Sequence, residues 1–322
     1  MKRGKSIYNL DFHDIIACVG RKGGEAVKKK TRAALCVVAA AMLWGTYGSF
    51  LTAIAARGMS ANAINFLRFA ATSLPVLVFL LLRESKALRV KRRDLWLVFA
   101  NGLASILFFT SCYAAAIRET KIATAAALLY TAPAIVLLLS ALLFGEKLTA
   151  RKVFCVLLSV AGCALVSGAV GTGETLTARG LLLGLGAGLG YALYSIFSRL
   201  LQQRGYSTLT NVCHTFAIAA AAYFVIALRE GSAAQILRLP GATGLSIVCG
   251  LLTGLLAYLL YTAGLRELEP SRAAQLATVE PVFAALLGLT LFSQRLSWPE
   301  WLGVALIAAA VVGMNAGEKE RP

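Results

Sequence analysis

The chain has 322 residues, 58% of them hydrophobic and only 15% charged, with a mean hydropathy of +0.74. Soluble domains run nearer ~45–50% apolar and ~25% charged, so lipid is the expected solvent, and disorder is excluded for the bulk of the chain. The net charge of +17 comes from 32 Lys and Arg against 15 Asp and Glu, but the basic residues sit at the ends and in short connectors, a pattern of membrane topology rather than of nucleic-acid binding.

Residues 1–32 read as a basic cytoplasmic tail, with Lys28, Lys29, Lys30 and Arg32 suited to anionic lipid. The apolar stretch Ile15-Ile16-Ala17-Cys18-Val19 is too short for the core of a secretory signal. Ten apolar runs follow, at 33–56, 61–82, 95–117, 122–144, 152–169, 180–201, 208–228, 243–265, 272–293 and 298–316. Each is close to the ~20 residues that cross the hydrocarbon as a helix. Breakers separate them, among them Arg57-Gly58, Gly171-Thr172-Gly173 and Leu239-Pro240-Gly241. Strand-like alternation is absent, which points to an all-α polytopic membrane protein and away from a barrel. With the first tail in the cytoplasm, that side carries 24 Lys and Arg and the other side seven. The bias places both termini, including the short tail 317–322, in the cytoplasm.

The sequence repeats itself. At a shift of 148, Tyr113-Ala114-Ala115-Ala116-Ile117-Arg118 falls on Tyr261-Thr262-Ala263-Gly264-Leu265-Arg266, and Pro133 on Pro281. At a shift of 147, Trp44 meets Tyr191, Tyr47 meets Tyr194 and Phe50 meets Phe197. The units are 33–169 and 180–316, with five spans each. Five is odd, so the second unit enters the membrane from the opposite side: ten transmembrane helices as two inverted five-helix repeats. Such a pair places a solute site near the midplane and permits alternating access.

Several motifs carry a resemblance. Trp44-Gly45 stands in the first span and Asn65-Phe66-Leu67-Arg68-Phe69-Ala70 in the second. The fourth reads Tyr130-Thr131-Ala132-Pro133 and closes with Phe144-Gly145-Glu146-Lys147-Leu148-Thr149. Val279-Glu280-Pro281 and Phe292-Ser293-Gln294-Arg295-Leu296-Ser297 form a weaker second copy, with Gln294 where the first has a Glu. Over 33–316 the chain resembles the EamA-type branch of the drug/metabolite transporter superfamily. The resemblance implies a secondary transporter of the cytoplasmic membrane, one that exports a small metabolite such as an amino acid or related compound.

Two ionisable side chains lie clearly within spans, Arg68 and Glu280. Each costs about 2.5–3.5 kcal/mol by insertion scales, which marks them for function. Arg68 suits a substrate carboxylate, or a gating or structural role at a helix end. Glu280 precedes Pro281, whose ring frees the carbonyl of Ala277. It suits proton coupling, or a hydrogen bond that merely settles the kink. Pro133 is the matching kink of the first unit. Trp44 and Tyr47 share a helix face at i, i+3, as do Tyr191 and Tyr194. Asn65, Asn101, Tyr113, Tyr130, His214, Tyr258 and Gln275 complete the candidate cavity. Gly180, Gly184 and Gly188, with Gly186 and Gly190, and the pair Gly250 and Gly254, let helices approach closely. The seven cysteines show no C-x-x-C pair and read as apolar fillers.

No hydrolase, metal or nucleotide motif stands out, so no cofactor, metal or nucleic-acid partner is expected and enzyme activity finds little support. The expected partners are the bilayer and a small solute, with proton coupling as one candidate drive, and both a monomer and a homodimer fit the pattern. A membrane-embedded enzyme and a non-transporting receptor or scaffold are the rival readings. Cysteine labelling tests the topology: cysteines placed in 83–94 are expected to be protected from an external reagent and those in 229–242 reached. The reverse pattern contradicts it.

Overall fold

The computed structural model describes residues 25–120, 122–169, 177–291 and 296–315. The tail before residue 25, the Gly171-Thr172-Gly173 connector, Gln294 and the last seven residues lie outside them. The described chain is helical, with no strand among the described residues. α1 runs Glu25–Gly45 and resumes as Tyr47–Ala55; α2 is Ala61–Arg83. α3 joins Leu95–Ala100, Asn101–Leu107 and Phe108–Glu119; α4 joins Ile122–Leu129 and Ala132–Phe144; α5 is Ala150–Val166. α6 is Ala178–Gln203 and α7 is Thr208–Arg229. α8 joins Pro240–Cys249, Gly250–Leu256 and Ala257–Glu267; α9 joins Pro270–Ala277 and Val279–Leu291; α10 is Trp298–Asn315.

Eight of these runs are long and apolar enough to cross a membrane. The other two, α5 and α10, are shorter, at 17 and 18 residues. At 1.5 Å per residue they reach about 25 Å, the lower limit for a span. They lie against each other, where a Cβ on Gly162 would stand 2.9 Å from the Gly303 carbonyl oxygen and one on Gly303 2.6 Å from that of Gly162. α1 begins eight residues before the apolar run at 33, so Lys29 and Lys30 are helical. No Gly or Pro interrupts the stretch from Glu25 to Trp44, and Glu, Ala and Lys favour helix.

Hydroxyl caps open four helices. Ser60, Thr149, Thr177 and Ser207 each accept a hydrogen bond from the backbone N–H three residues on. Ser60 and Ser207 are repeat mates, as are the wide-turned π segments Asn101–Leu107 of α3 and Gly250–Leu256 of α8. Helix contacts repeat in the same way. α1 packs on α8 and α9, α6 packs on α3 and α4, α2 packs on α7, and α5 packs on α10.

Small residues set the spacing. Gly184 and Gly188 seat α6 on Leu128 and Thr131 of α4, while Gly186 and Gly190 seat it on Cys112 and Phe109 of α3. Gly250 and Gly254 bring α8 onto Arg68 and Thr72 of α2. The six described cysteines are free thiols, and Cys155, Cys163, Cys213 and Cys249 are buried as apolar fillers.

One polar clamp ties the start of α3 to the α6–α7 turn. Asp94 is buried; Tyr206 donates its hydroxyl hydrogen to Oδ2 at 2.7 Å, and Arg204 donates to Oδ1. The Tyr206 hydroxyl in turn accepts from the Lys91 N–H at 3.1 Å. The Tyr206 hydrogen bond, with the Arg204 guanidinium, holds the Asp94 carboxyl below its ordinary value, against the opposing effect of burial. A depressed carboxylate contributes stability that is present above its unfolded value and is lost as pH falls through the folded one. Asp94→Asn is therefore expected to lower the thermal midpoint at neutral pH. It should also flatten the loss of midpoint on acidification. An unchanged acid slope in scanning fluorimetry contradicts this role.

Candidate functional site

Three helices break at one level. Pro133 and Pro281 cannot donate to a carbonyl four residues back, and their rings crowd it. α4 accordingly stops at Leu129 and α9 at Ala277, each four residues before its proline. The proline then lies near the start of the helix that resumes, and the helix is irregular only at Tyr130 and Thr131 in α4 and at Thr278 in α9. α1 breaks at Thr46 without a proline, where the Thr46 hydroxyl donates to the Leu43 carbonyl at 2.7 Å. The breaks of α1 and α9 touch. A Cβ on Gly45 would lie 2.9 Å from the Glu280 carbonyl oxygen, so only glycine permits this approach. α6, the repeat mate of α1, passes the matching level unbroken.

The two intramembrane charges face this level. Arg68 on α2 is 4% exposed, with its guanidinium 4.2 Å from the Tyr47 ring centroid and 5.2 Å from that of Phe69. Ring faces stabilise a cation that has left water. Its Nε has no hydrogen-bond partner. Glu280, on the resumed half of α9, has Tyr130 as its hydrogen-bonding neighbour and lies in the field of Arg68. Tyr113, Tyr191 and Tyr258 lie in the field of Glu280, and Tyr258 in that of Arg68 as well. Neither charge joins an ion pair among the described residues.

An aromatic wall adjoins the charges. Trp44, Ile106, Phe109, Tyr191, Tyr194, Tyr258 and Tyr261 line a gap of only about 10 Å³, room for about one water. Trp44 meets Tyr258 and Tyr261 at centroid separations of 5.0 and 5.1 Å. The polar tips are tied away from the space. Trp44 Nε1–H donates to the Thr253 carbonyl at 3.0 Å. The Tyr194 hydroxyl pairs with Thr262 at 2.6 Å and that of Tyr261 with Ser195 at 2.7 Å. Solute pockets usually enclose about 300–1,000 Å³, so these rings must part to admit one.

The structure thus brings together Trp44, Tyr47, Arg68, Tyr113, Tyr130, Tyr191, Tyr194, Tyr258 and Glu280. Asn65, one turn before Arg68 on α2, is 7% exposed with its Oδ1 unpartnered. Three other expected residues are hydrogen-bonded within the protein, two of them between helices. Asn101 donates to Asn211 at 2.9 Å and to Thr215 at 3.0 Å. His214 bonds the Thr210 carbonyl of its own helix, and Gln275 accepts from Ser159 of α5. Tyr261, Phe109 and Thr253 were not expected at the site. Tyr261 is the repeat mate of Tyr113, so the duplication itself points to it.

A sequence model of the EamA-like transporter family matches twice, over residues 31–168 and 178–316. The chain belongs to this family, within the drug/metabolite transporter superfamily, and is a multi-pass membrane protein. Its relatives include an uncharacterized transporter of Archaeoglobus fulgidus, 30% identical over 86% of this chain and 93% of the other. The Bacillus subtilis protein named uncharacterized transporter YwfM is 28% identical over 89% and 95%. A solved crystal structure superimposes with a TM-score of 0.74 at 21% identity, covering 89% of this chain and 97% of the other, a likeness of fold.

The glycine at the aromatic wall allows a direct test. A Cβ on Gly190 would stand 2.8 Å from the Phe109 backbone nitrogen, whereas one on Gly48 meets nothing within 4 Å. Backbone does not yield as a side-chain tip does, so Gly190→Ala is expected to cost about 1–3 kcal/mol. Gly48→Ala should be neutral or gain up to about 1 kcal/mol. Equal thermal midpoints for the two variants contradict the close α3–α6 contact.

Proposed function

We propose that the protein is a secondary transporter that exports a small metabolite, an amino acid or related compound, across the cytoplasmic membrane. The observation that carries this reading is the placing of Arg68 and Glu280. They are ionisable groups of opposite sign in one site, Arg68 buried and Glu280 half-buried, not paired with each other, beside a wall of apolar ring faces. A zwitterion satisfies both, its carboxylate toward Arg68 and its amino group toward Glu280, with its carbon skeleton on the rings. A charge left alone in such surroundings is costly, so a solute that brings the complementary charge gains much of its affinity there.

The halves enclose the site as inverted repeats, 33–169 and 180–316, with both termini in the cytoplasm. The contrast between broken α1 and continuous α6 supports alternating access. Two repeat mates differ in conformation, and exchanging those conformations carries the site from one side to the other. Glu280 is the candidate proton carrier, since a carboxyl among tyrosines and freed backbone can change protonation as the solute leaves.

Flux into proteoliposomes of a panel of labelled amino acids and related metabolites tests the reading. Saturable flux of at least one member is expected. Arg68→Ala should abolish it, and Glu280→Gln should keep the fold but lose its pH dependence. Wild-type flux that is flat across pH removes proton coupling. Flux that survives Arg68→Ala intact overturns the assignment of the site.

A further inference from the structure

The motif that closes α4 forms a corner whose side chains reach the other half of the chain. Gly145 ends α4 in the left-handed conformation at φ +68°, and Thr149 caps α5 by accepting from the Lys152 N–H at 3.3 Å. The turn between them delivers Glu146 to the start of α9. There the Ser271 hydroxyl donates to Glu146 Oε2, and Lys152 Nζ lies 3.5 Å from the same oxygen. Lys152 also pairs with Glu269 at 2.6 Å. The Glu146 side chain is only 5% exposed and its Oε1 has no partner.

The first half of α9, Pro270–Ala277, connects this corner to the solute site. Glu269 and Ser271 stand at one end, and the break at Thr278 and Glu280 stand at the other. Midway, Gln275 is fully buried with its Nε2 unpartnered. Buried polar atoms without partners are uncommon, and Gln275 Nε2 on this element with Glu146 Oε1 against its start mark the region as satisfied in part in this conformation. The contact also crosses from the first half of the chain to the second, so a movement that separates the α4–α5 corner from the start of α9 must break it.

We propose that Glu146, held by Ser271 and Lys152, is the latch that keeps the cytoplasmic side of the solute site shut, with Pro270–Ala277 as the lever between latch and site. This rests on the alternating-access reading given above. Release of Ser271 and Lys152 frees the lever to swing from the α4–α5 corner and opens a path to Glu280 from the cytoplasm. Glu146 acts through α9 and touches no solute, so it is a positioning residue.

The test uses the full chain in sealed vesicles of either orientation. Thr278→Cys places a thiol at the break, 2% exposed in this state. Its reaction with an impermeant maleimide is read by peptide mass spectrometry. Adding Glu146→Gln, or Ser271→Ala as the milder second variant, is expected to speed labelling from the cytoplasmic side by about fivefold or more. Labelling from the opposite side should slow. Unchanged cytoplasmic labelling in folded protein overturns the latch, and so does an equal rise from both sides, which is the signature of loosened packing. The labelling needs no solute, so failure of the latch and failure of the transport assay are separate results.

Discussion

The site is built on two ionisable groups of opposite sign, Arg68 and Glu280, held apart inside an apolar bundle. Arg68 and Glu280 sense each other's field yet form no ion pair. Surroundings of low dielectric make such separation expensive, and the fold offsets the cost with ring faces and hydroxyls. Tyr47 lies against the guanidinium and Tyr130 bonds the carboxyl. Arg68 Nε remains without a hydrogen-bond partner.

Helix breaks allow this arrangement. An unbroken helix spends its polar groups on itself, whereas an interrupted one leaves N–H and carbonyl groups at its two inner ends. α1 and α9 put such ends against each other at Gly45 and Glu280. The absence of a side chain at Gly45 is what lets the two breaks meet, and Gly190 does the same for α3 and α6. Close glycine contacts of this kind let neighbouring helix backbones approach one another. Elsewhere the bundle is fastened by buried hydrogen bonds, as at Asn101, and by the Asp94 clamp at one end.

Much of this is legible in the residues. Charges inside apolar runs are rare enough to single out Arg68 and Glu280, and the i, i+3 spacing of Trp44 and Tyr47, mirrored by Tyr191 and Tyr194, picks out one wall. Prolines announce the breaks of α4 and α9. The break at Thr46 has no such marker, because it follows from how α1 meets α9 rather than from a local propensity. The π segments are silent for the same reason: no residue type demands them. Glu146 is visible as part of a motif, but its partner Ser271 lies 125 residues away, and only the folded chain brings them together. Asn101 and Gln275 show the opposite limit. A polar residue in a span declares that it has a partner, not whether that partner is a solute or another helix.

The central claim is that one solute bridges Arg68 and Glu280, and carboxyl protection tests it most directly. Glu280 is modified with a carbodiimide in sealed vesicles, with and without a transported solute, and the product at that residue is counted by mass spectrometry. The account predicts that the solute shields Glu280 and that the shielding disappears in Arg68→Ala. Modification that proceeds equally with and without the solute, or shielding that survives the loss of Arg68, would contradict it.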